Sequence, residues 1–301
     1  MDKKPEIKEL PSNIFSLFFK EGHKVNQENL DKLLADVSET LKRYLEQEQE
    51  VLSTKPPALR LSQVGTKPRL FWYQWNFSQR PELFGSISVE EESKDDATVM
   101  MRFFLGSILE LFLLFLIREA GYEVTGEQEE VELDGVLGHP DCFINGELVD
   151  IKTASPFGFD KFRYGGIFEV NGDEYGYLYQ ISSYKEAKNY KGPVHFLAFN
   201  KSTGQIVLLE VPEYHLPDPR KKIKELRDIA ELPEPPAEKC WPEKIHSNGN
   251  KQIDKKCTWC KFKDICWQSS NGGTGLRAFK YARGVEYFSH IEKLPNVEEV
   301  T

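Results

Sequence analysis

The sequence predicts a mixed α/β, or α+β, fold: a mixed central sheet flanked by helices, with a helical amino-terminal region and a cysteine-rich carboxy-terminal lobe. Three observations predict it. Strand-like apolar runs alternate with helical patterns through the middle of the chain. Asn145-Gly146 separates two such runs, and Asn-Gly is a strong two-residue hairpin signal because both central residues must take positive φ. Four of the five cysteines crowd between Cys240 and Cys266, with Cys142 apart. Three segments are expected: 1–95 helical, 96–232 the sheet-bearing core, and 233–301 the cysteine lobe.

Taken in order, residues 1 to about 55 are charged and helical, with apolar positions Leu30, Leu33, Leu34, Val37, Leu41 and Leu45 on one stripe. Lys55-Pro56-Pro57 breaks this region, and Ser62 is expected to cap a short helix. The aromatic cluster Phe71, Trp72, Tyr73 and Trp75 follows. Glu91 to Asp96 reads as an acidic turn before a long apolar helix, Ala97 to Ala120, ended by Gly121. Leu178 to Tyr190 reads as a helix, and His195–Phe199 and Gln205–Val211 as strands joined by a Ser-Thr-Gly turn. A basic helix, Arg220–Ile229, and a Pro233–Pro236 linker lead into the cysteines.

The hairpin fixes a register by counting outward from its turn. Ile144 faces Glu147, Phe143 faces Leu148, Cys142 faces Val149, Asp141 lands opposite Asp150, and His139 opposite Lys152. Like charges directly across a strand pair are destabilising. Two facing carboxylates beside a lysine therefore demand a cation, most simply Mg²⁺ or Mn²⁺, which take oxygen ligands. Cys142, on the other face from Asp141, reads as a core thiol. Glu110 is a third carboxylate, set in a helix apolar nearly all round. Such a helix is buried, and a buried carboxylate requires a metal, an arginine or a route to solvent. Gln180 and Tyr184, four residues apart, share one helix face; a surface glutamine and a half-buried tyrosine have the same spacing. Lys161-Phe162-Arg163 is expected in a loop, where cation–aromatic–cation order suits phosphates and stacked bases.

Composition bounds the rest. The 301 residues are 40% hydrophobic and 29% charged, as in a soluble globular protein, and carry a net charge of −9. The first residues lack the apolar core of a secretory signal. The apolar stretch Phe103–Ile117 is shorter than the ~20 residues of a membrane span. A cytoplasmic location and no membrane partner are expected. Acidity does not exclude nucleic acid, because Lys239 to Arg283 carries ten Lys and Arg against Glu243, Asp254 and Asp264. The spacing Cys240-x16-Cys257-x2-Cys260-x5-Cys266 reads as ligation of zinc or an iron–sulfur cluster rather than disulfides.

Glu110 in G-S-I-L-E, Asp141 in G-H-P-D, Asp150-Ile151-Lys152 and Gln180-x-x-x-Tyr184 occur in the order found in the PD-(D/E)xK nucleases. The chain resembles the branch containing the RecB and AddB nuclease domains and the CRISPR adaptation nucleases. The stretch from Lys152 to Tyr184 most resembles bacteriophage exonucleases, and the mitochondrial single-strand exonuclease is more distantly similar. The resemblance covers about residues 60 to 270. It implies a restriction-endonuclease-like core in which Glu110, Asp141, Asp150 and the Ile151 carbonyl hold one or two Mg²⁺ or Mn²⁺ ions. Lys152 would act on water or phosphate, while Gln180 and Tyr184 would position the scissile strand. His139 would make either a hairpin hydrogen bond or a phosphate contact.

The C-x2-C-x5-C triad resembles the carboxy-terminal part of the [4Fe-4S] motif of AddB and the adaptation nucleases. In those proteins the fourth cysteine lies far upstream, near a P-R-x-x-x-Y stretch. Here Pro68-Arg69-Leu70-Phe71-Trp72-Tyr73 has no cysteine, and Cys240 supplies the fourth thiol. That departure keeps Zn²⁺ beside [4Fe-4S] as the expected occupant. The implied activity is metal-dependent DNA exonucleolysis favouring single-stranded ends, in recombination, repair or degradation, with a recombinase or single-strand-binding protein as a further partner. Arg69, Lys161, Phe162 and Arg163 are candidate DNA contacts. Trp72, Tyr73 and Phe162 are either stacking platforms or core. The competing expectations are a DNA-binding recombination accessory with a vestigial nuclease core, and an end-trimming nuclease of CRISPR adaptation.

Overall fold

The computed structural model describes residues 5–46, 58–84 and 94–300. The Lys55-Pro56-Pro57 break and Glu91–Ser93 lie outside them. The chain divides into two units: Met1–Thr66 with Glu90–Glu225, and Lys67–Val89 with Leu226–Thr301. This differs from the expected three segments, because a stretch from the amino-terminal third belongs with the cysteines.

The first unit begins with α1 (Leu10–Leu17) and α2 (Gln27–Leu45). Asn26 caps α2, its side chain accepting the Glu28 and Asn29 amides. Ser62 is not a helix cap: Leu61–Gln63 is a single 3-10 turn with Arg60 at its cap. Helix α3 (Pro68–Gln79) belongs to the second unit. Helix α4 (Lys94–Glu119) starts earlier than expected, taking in Lys94–Asp96, and Gly121 follows it at φ +85°. The Glu119 carboxylate accepts from the Asn29 amide (2.6 Å) and the Asn26 N–H (3.2 Å), tying the start of α2 to the end of α4.

Helix α4 is not buried throughout. Leu113, Leu114, Leu116 and Ile117 are in the core, but Met101, Phe103 and Leu105 are more than half exposed. By length and composition Met100–Glu119 could cross a membrane, so the expectation that its apolar run is too short does not hold.

Seven strands follow: β1 (Val124–Thr125), β2 (Val131–Leu133), β3 (Val136–Gly138), β4 (Cys142–Ile144), β5 (Glu147–Ala154), β6 (Val194–Asn200) and β7 (Ile206–Glu210). Strands β2 and β3 form a separate hairpin. The others make a mixed sheet, ordered β1-β4-β5-β6-β7, in which only β5 and β6 run parallel. A parallel pair needs a long crossover, supplied here by α5 (Pro156–Arg163) and α6 (Tyr177–Ala187). Helix α7 (Pro219–Ala230) follows β7. Alternation along the strands splits the core between two faces. Leu148, Phe196 and Ala198 pack with α5 and α6, whereas Val149, Ile151, Leu197 and Cys142 pack with α1 and α4.

The hairpin pairs Ile144 with Glu147, Phe143 with Leu148 and Cys142 with Val149, around a turn with Asn145 at φ 49° and Gly146 at φ 85°. The ladder stops there. Pro140 has no N–H to give it, so Asp141 is not the cross-strand partner of Asp150, nor His139 of Lys152. The partner of Lys152 is Ala198 on β6, and His139 is exposed, 3.9 Å from Glu130. Beyond Val149, β5 therefore has one unpaired edge.

In the second unit, α3 buries Phe71, Trp72 and Tyr73. Tyr73 stacks on Phe262 at 5.4 Å, and the Trp72 indole donates to the Leu232 carbonyl at 3.0 Å. Neither ring is free to stack on a base. An antiparallel sheet completes the unit: β8 (Lys244–Ile245), β9 (Lys251–Gln252), β10 (Arg277–Tyr281), β11 (Gly284–His290) and β12 (Glu299–Val300). Between β9 and β10 lie α8 (Lys255–Thr258), capped by the Asp254 carboxylate, and α9 (Lys263–Cys266).

Candidate active site and cysteine pocket

The unpaired edge of β5 carries the candidate site. Asp150 and Lys152 alternate with Ile151, so both point to the face covered by α6. Asp141 folds over the edge, its Oδ2 accepting the Ile151 N–H at 2.6 Å. In a strand a residue's N–H and C=O point the same way, which directs the Ile151 carbonyl to that open edge too. Gln128 joins Asp141 to Glu110: its amide donates to Glu110 Oε1 at 3.1 Å and to Asp141 Oδ1 at 3.2 Å. Three carboxylates from α4, the β3–β4 connection and β5 thus share one site.

Lys152 Nζ lies 2.6 Å from Asp150 Oδ2, donates to Gln180 Oε1 at 3.1 Å, and sits 4.7 Å from the centre of the Tyr177 ring. The Gln180 amide in turn donates to the Tyr184 hydroxyl at 3.3 Å. The shared face of Gln180 and Tyr184 is therefore turned on Lys152, and Tyr184, only 2% exposed, holds Gln180 through its hydroxyl.

Burial dominates the electrostatics. It pushes Glu110 up to about 8, helped by the Asp141 charge and opposed by the Gln128 hydrogen bond. Burial likewise raises Asp150 to about 7, opposed by Lys152, and raises Asp141, opposed by Lys152 and the Ile151 N–H. At Lys152 burial works against the ammonium, but Asp150 and Asp141 outweigh it and hold the pKa above the ordinary lysine value.

Asp150 is fully buried; its Oδ2 is held by the Lys152 ammonium at 2.6 Å, while its Oδ1 has no donor among the described residues. Buried carboxylate oxygens in natural proteins are almost always satisfied. The unpartnered Oδ1, with Asp141 and Glu110 close by, fits a hard cation bound through oxygen. Among the described residues, no three His, Cys, Asp or Glu side chains already converge as a closed ligand shell.

Sequence reasoning missed Gln128. Its backbone takes φ 50°, and its N–H donates to the Pro140 carbonyl at 3.1 Å, which aims the amide at the carboxylates. Neither feature leaves a local motif. It also missed α5, although Ser155-Pro156 is an N-cap followed by Pro at the first helical position.

The candidate DNA contacts fare unevenly. Lys161-Phe162-Arg163 ends α5 and is not a loop. Phe162 is buried and packs on Phe196, so its ring is unavailable to a base. Lys161 donates to the Gly172 carbonyl and pairs with Glu174, while Arg163 is exposed. Arg69 is held by the Pro236 carbonyl and donates to Cys266 Sγ at 3.1 Å.

Cys240, Cys257, Cys260 and Cys266 line one pocket, together with Arg69 and Tyr73 of α3. The Leu70 N–H faces the Cys240 thiol, so Cys240 sits against the P-R-x-x-x-Y segment. Lys239 Nζ lies 3.7 Å from Cys266 Sγ. Burial pushes Cys240 up to about 11 and Cys257 up to about 12. Four thiols with two cations donating to one sulfur form a donor set suited to a thiophilic group.

No family profile matches the chain, and no curated protein matches it in sequence. Among solved structures, a protein titled SSO0001 aligns over 75% of this chain and 93% of its own, at 16% identity and a TM-score of 0.40. A phage-related exonuclease from Haemophilus somnus 129PT aligns over 59% of this chain and 93% of its own, at 14% identity and a TM-score of 0.32. At such scores these likenesses carry no argument about this site.

Proposed function

We propose that the chain is a divalent-metal-dependent deoxyribonuclease that hydrolyses phosphodiester bonds from DNA ends and prefers single strands. The observation that carries this reading is the buried Asp150 carboxylate, paired with Lys152 through one oxygen, unpartnered at the other, and adjoined by Asp141 and Glu110. Glu110, Asp141, Asp150 and the Ile151 carbonyl are the groups that would hold Mg²⁺ or Mn²⁺. Such an ion lowers the pKa of water and offsets charge on the phosphate and the leaving oxygen. Lys152 stays charged beside Asp150 and Asp141, so it serves as a donor to a phosphate oxygen or to the attacking water. Gln180 fixes its ammonium, and Tyr184 fixes Gln180. The resemblance to PD-(D/E)xK nucleases supports the same roles.

For the cysteine pocket we propose a [4Fe-4S] cluster. What supports it is the C-x2-C-x5-C triad, with Cys240 beside the Pro68-Arg69 segment, which resembles the cluster motif of AddB and the adaptation nucleases; Zn²⁺ is the alternative occupant. The group would be structural, pinning the 240–266 segment against α3 within the second unit.

The test is incubation of anaerobically purified protein with 5′- and 3′-labelled single-stranded and duplex DNA in Mg²⁺, Mn²⁺ or EDTA. Metal-dependent shortening of single strands supports the proposal, and the label lost first gives the polarity. Binding without cleavage under every metal overturns it in favour of a DNA-binding accessory protein.

A further inference from the structure

Tyr175 is a large aromatic side chain left 69% exposed on a segment that is otherwise held firmly. On one side, Asp173 accepts the Tyr177 and Leu178 N–H groups at 2.8 and 2.9 Å, which fixes the entry to α6. On the other, Lys161 donates to the Gly172 carbonyl at 3.2 Å and pairs with Glu174 at 3.1 Å. The backbone around Tyr175 is clamped from both directions, yet the ring is left outside. That arrangement removes the ordering cost of binding, since a preorganised side chain has little freedom left to lose.

The ring also stands beside the chemistry. Its centre is 5.5 Å from that of Tyr177, with the planes 33° apart, and the Tyr177 ring is the one beneath Lys152 Nζ at 4.7 Å. A solvent-facing aromatic is therefore one ring away from the Lys152 ammonium. Phe157, 74% exposed, has the Lys161 Nζ 5.4 Å from its ring centre. The same lysine holds Gly172 and Glu174, just ahead of Tyr175.

We propose that Tyr175, seconded by Phe157, is the platform on which the unpaired base next to the scissile phosphate stacks, and that it makes the site select single-stranded DNA. This rests on the nuclease reading above. Every base has an aromatic face, so stacking is indifferent to sequence. In a duplex those faces are already covered by neighbouring bases, so a paired end cannot use the platform without first fraying.

The experiment measures binding by fluorescence anisotropy in EDTA, using labelled oligothymidylate, the same strand with abasic positions, and a blunt duplex. Cleavage in Mg²⁺ is followed in parallel. Tyr175→Ala should bind oligothymidylate about ten-fold more weakly than wild type. Wild type should bind the abasic strand about as weakly as the variant binds the normal one, and Tyr175→Phe should restore binding. Thermal melting confirms that the variants are folded. Equal binding by wild type and Tyr175→Ala, or an equal loss on abasic and normal strands, overturns the platform while leaving a cleaving wild-type enzyme intact. A wild type that cleaves no DNA under any metal overturns the nuclease reading itself, and the platform with it.

Discussion

Glu110 holds a proton that the unfolded chain would release. Burial and the Asp141 charge raise its pKa from 4.5 to about 8, and Asp150 moves the same way, to about 7. Where the native state binds the extra proton, stability falls as pH rises. The contribution is fully present below pH 4.5 and is lost as pH climbs through about 8. In EDTA the melting temperature should therefore decline across that window. Glu110→Gln, which cannot ionise, should flatten the decline and abolish cleavage; an unchanged slope would refute the assignment. Mg²⁺ or Mn²⁺ should restore the wild-type loss, since a bound cation replaces the proton. Lys152→Ala leaves Asp150 buried beside no cation, and breaking a buried pair in this way costs about 3 kcal/mol. Denaturant melts in EDTA should show that loss alongside the loss of cleavage. Gln128 explains how the metal-free carboxylates stay together, and Gln128→Ala should weaken Mn²⁺ binding measured by calorimetry.

At the scale of elements, the hairpin was legible because its signal is local: Asn145-Gly146 sets the turn, and three pairs follow by counting. The count fails at Pro140 for an equally local reason, the missing N–H. Its position was visible in the sequence, but its consequence, an open edge on β5, required the fold. The burial of α4 was misjudged because apolar composition around a helix does not say how much of its length meets a partner. Its carboxy-terminal half enters the core, whereas its first half meets α2 chiefly where Tyr44 touches Phe104 and Ser107. Helix α6, which carries Gln180, depends on a contact no pattern announces. Gly176 takes φ +77°, and a Cβ there would lie 2.3 Å from the Gly65 Cα. Gly176→Ala, at positive φ and against backbone, should destabilise by more than the roughly 1 kcal/mol that a compatible Gly→Ala change gains. It should also lower cleavage by displacing Gln180 from Lys152. Wild-type melting and activity in that variant would show that α6 can be moved without effect.

At the scale of the molecule, the chain is not read in the order it is written. Helix α3 leaves the amino-terminal third to join the cysteine unit, where Arg69 and Tyr73 line the thiol pocket. Spacing alone grouped the four cysteines, but nothing local tied Pro68-Arg69 to them. If the pocket holds a cluster, Cys257→Ser should lose iron absorbance and lower the melting temperature of anaerobically purified protein. Zinc in place of iron in the wild type would correct the choice of group, and unchanged metal content in the variant would refute the site. The open edge of β5 has a consequence for self-association. An unpaired strand edge is a template for a second chain, and here the Asp141 carboxylate occupies it by taking the Ile151 N–H. Asp141→Leu would disable the site and bare the edge together, giving a protein that sticks to its own copies. Asp141→Asn keeps an oxygen over that N–H and should stay as free of aggregates as wild type in light scattering, so the residue proposed as a ligand would also guard the edge.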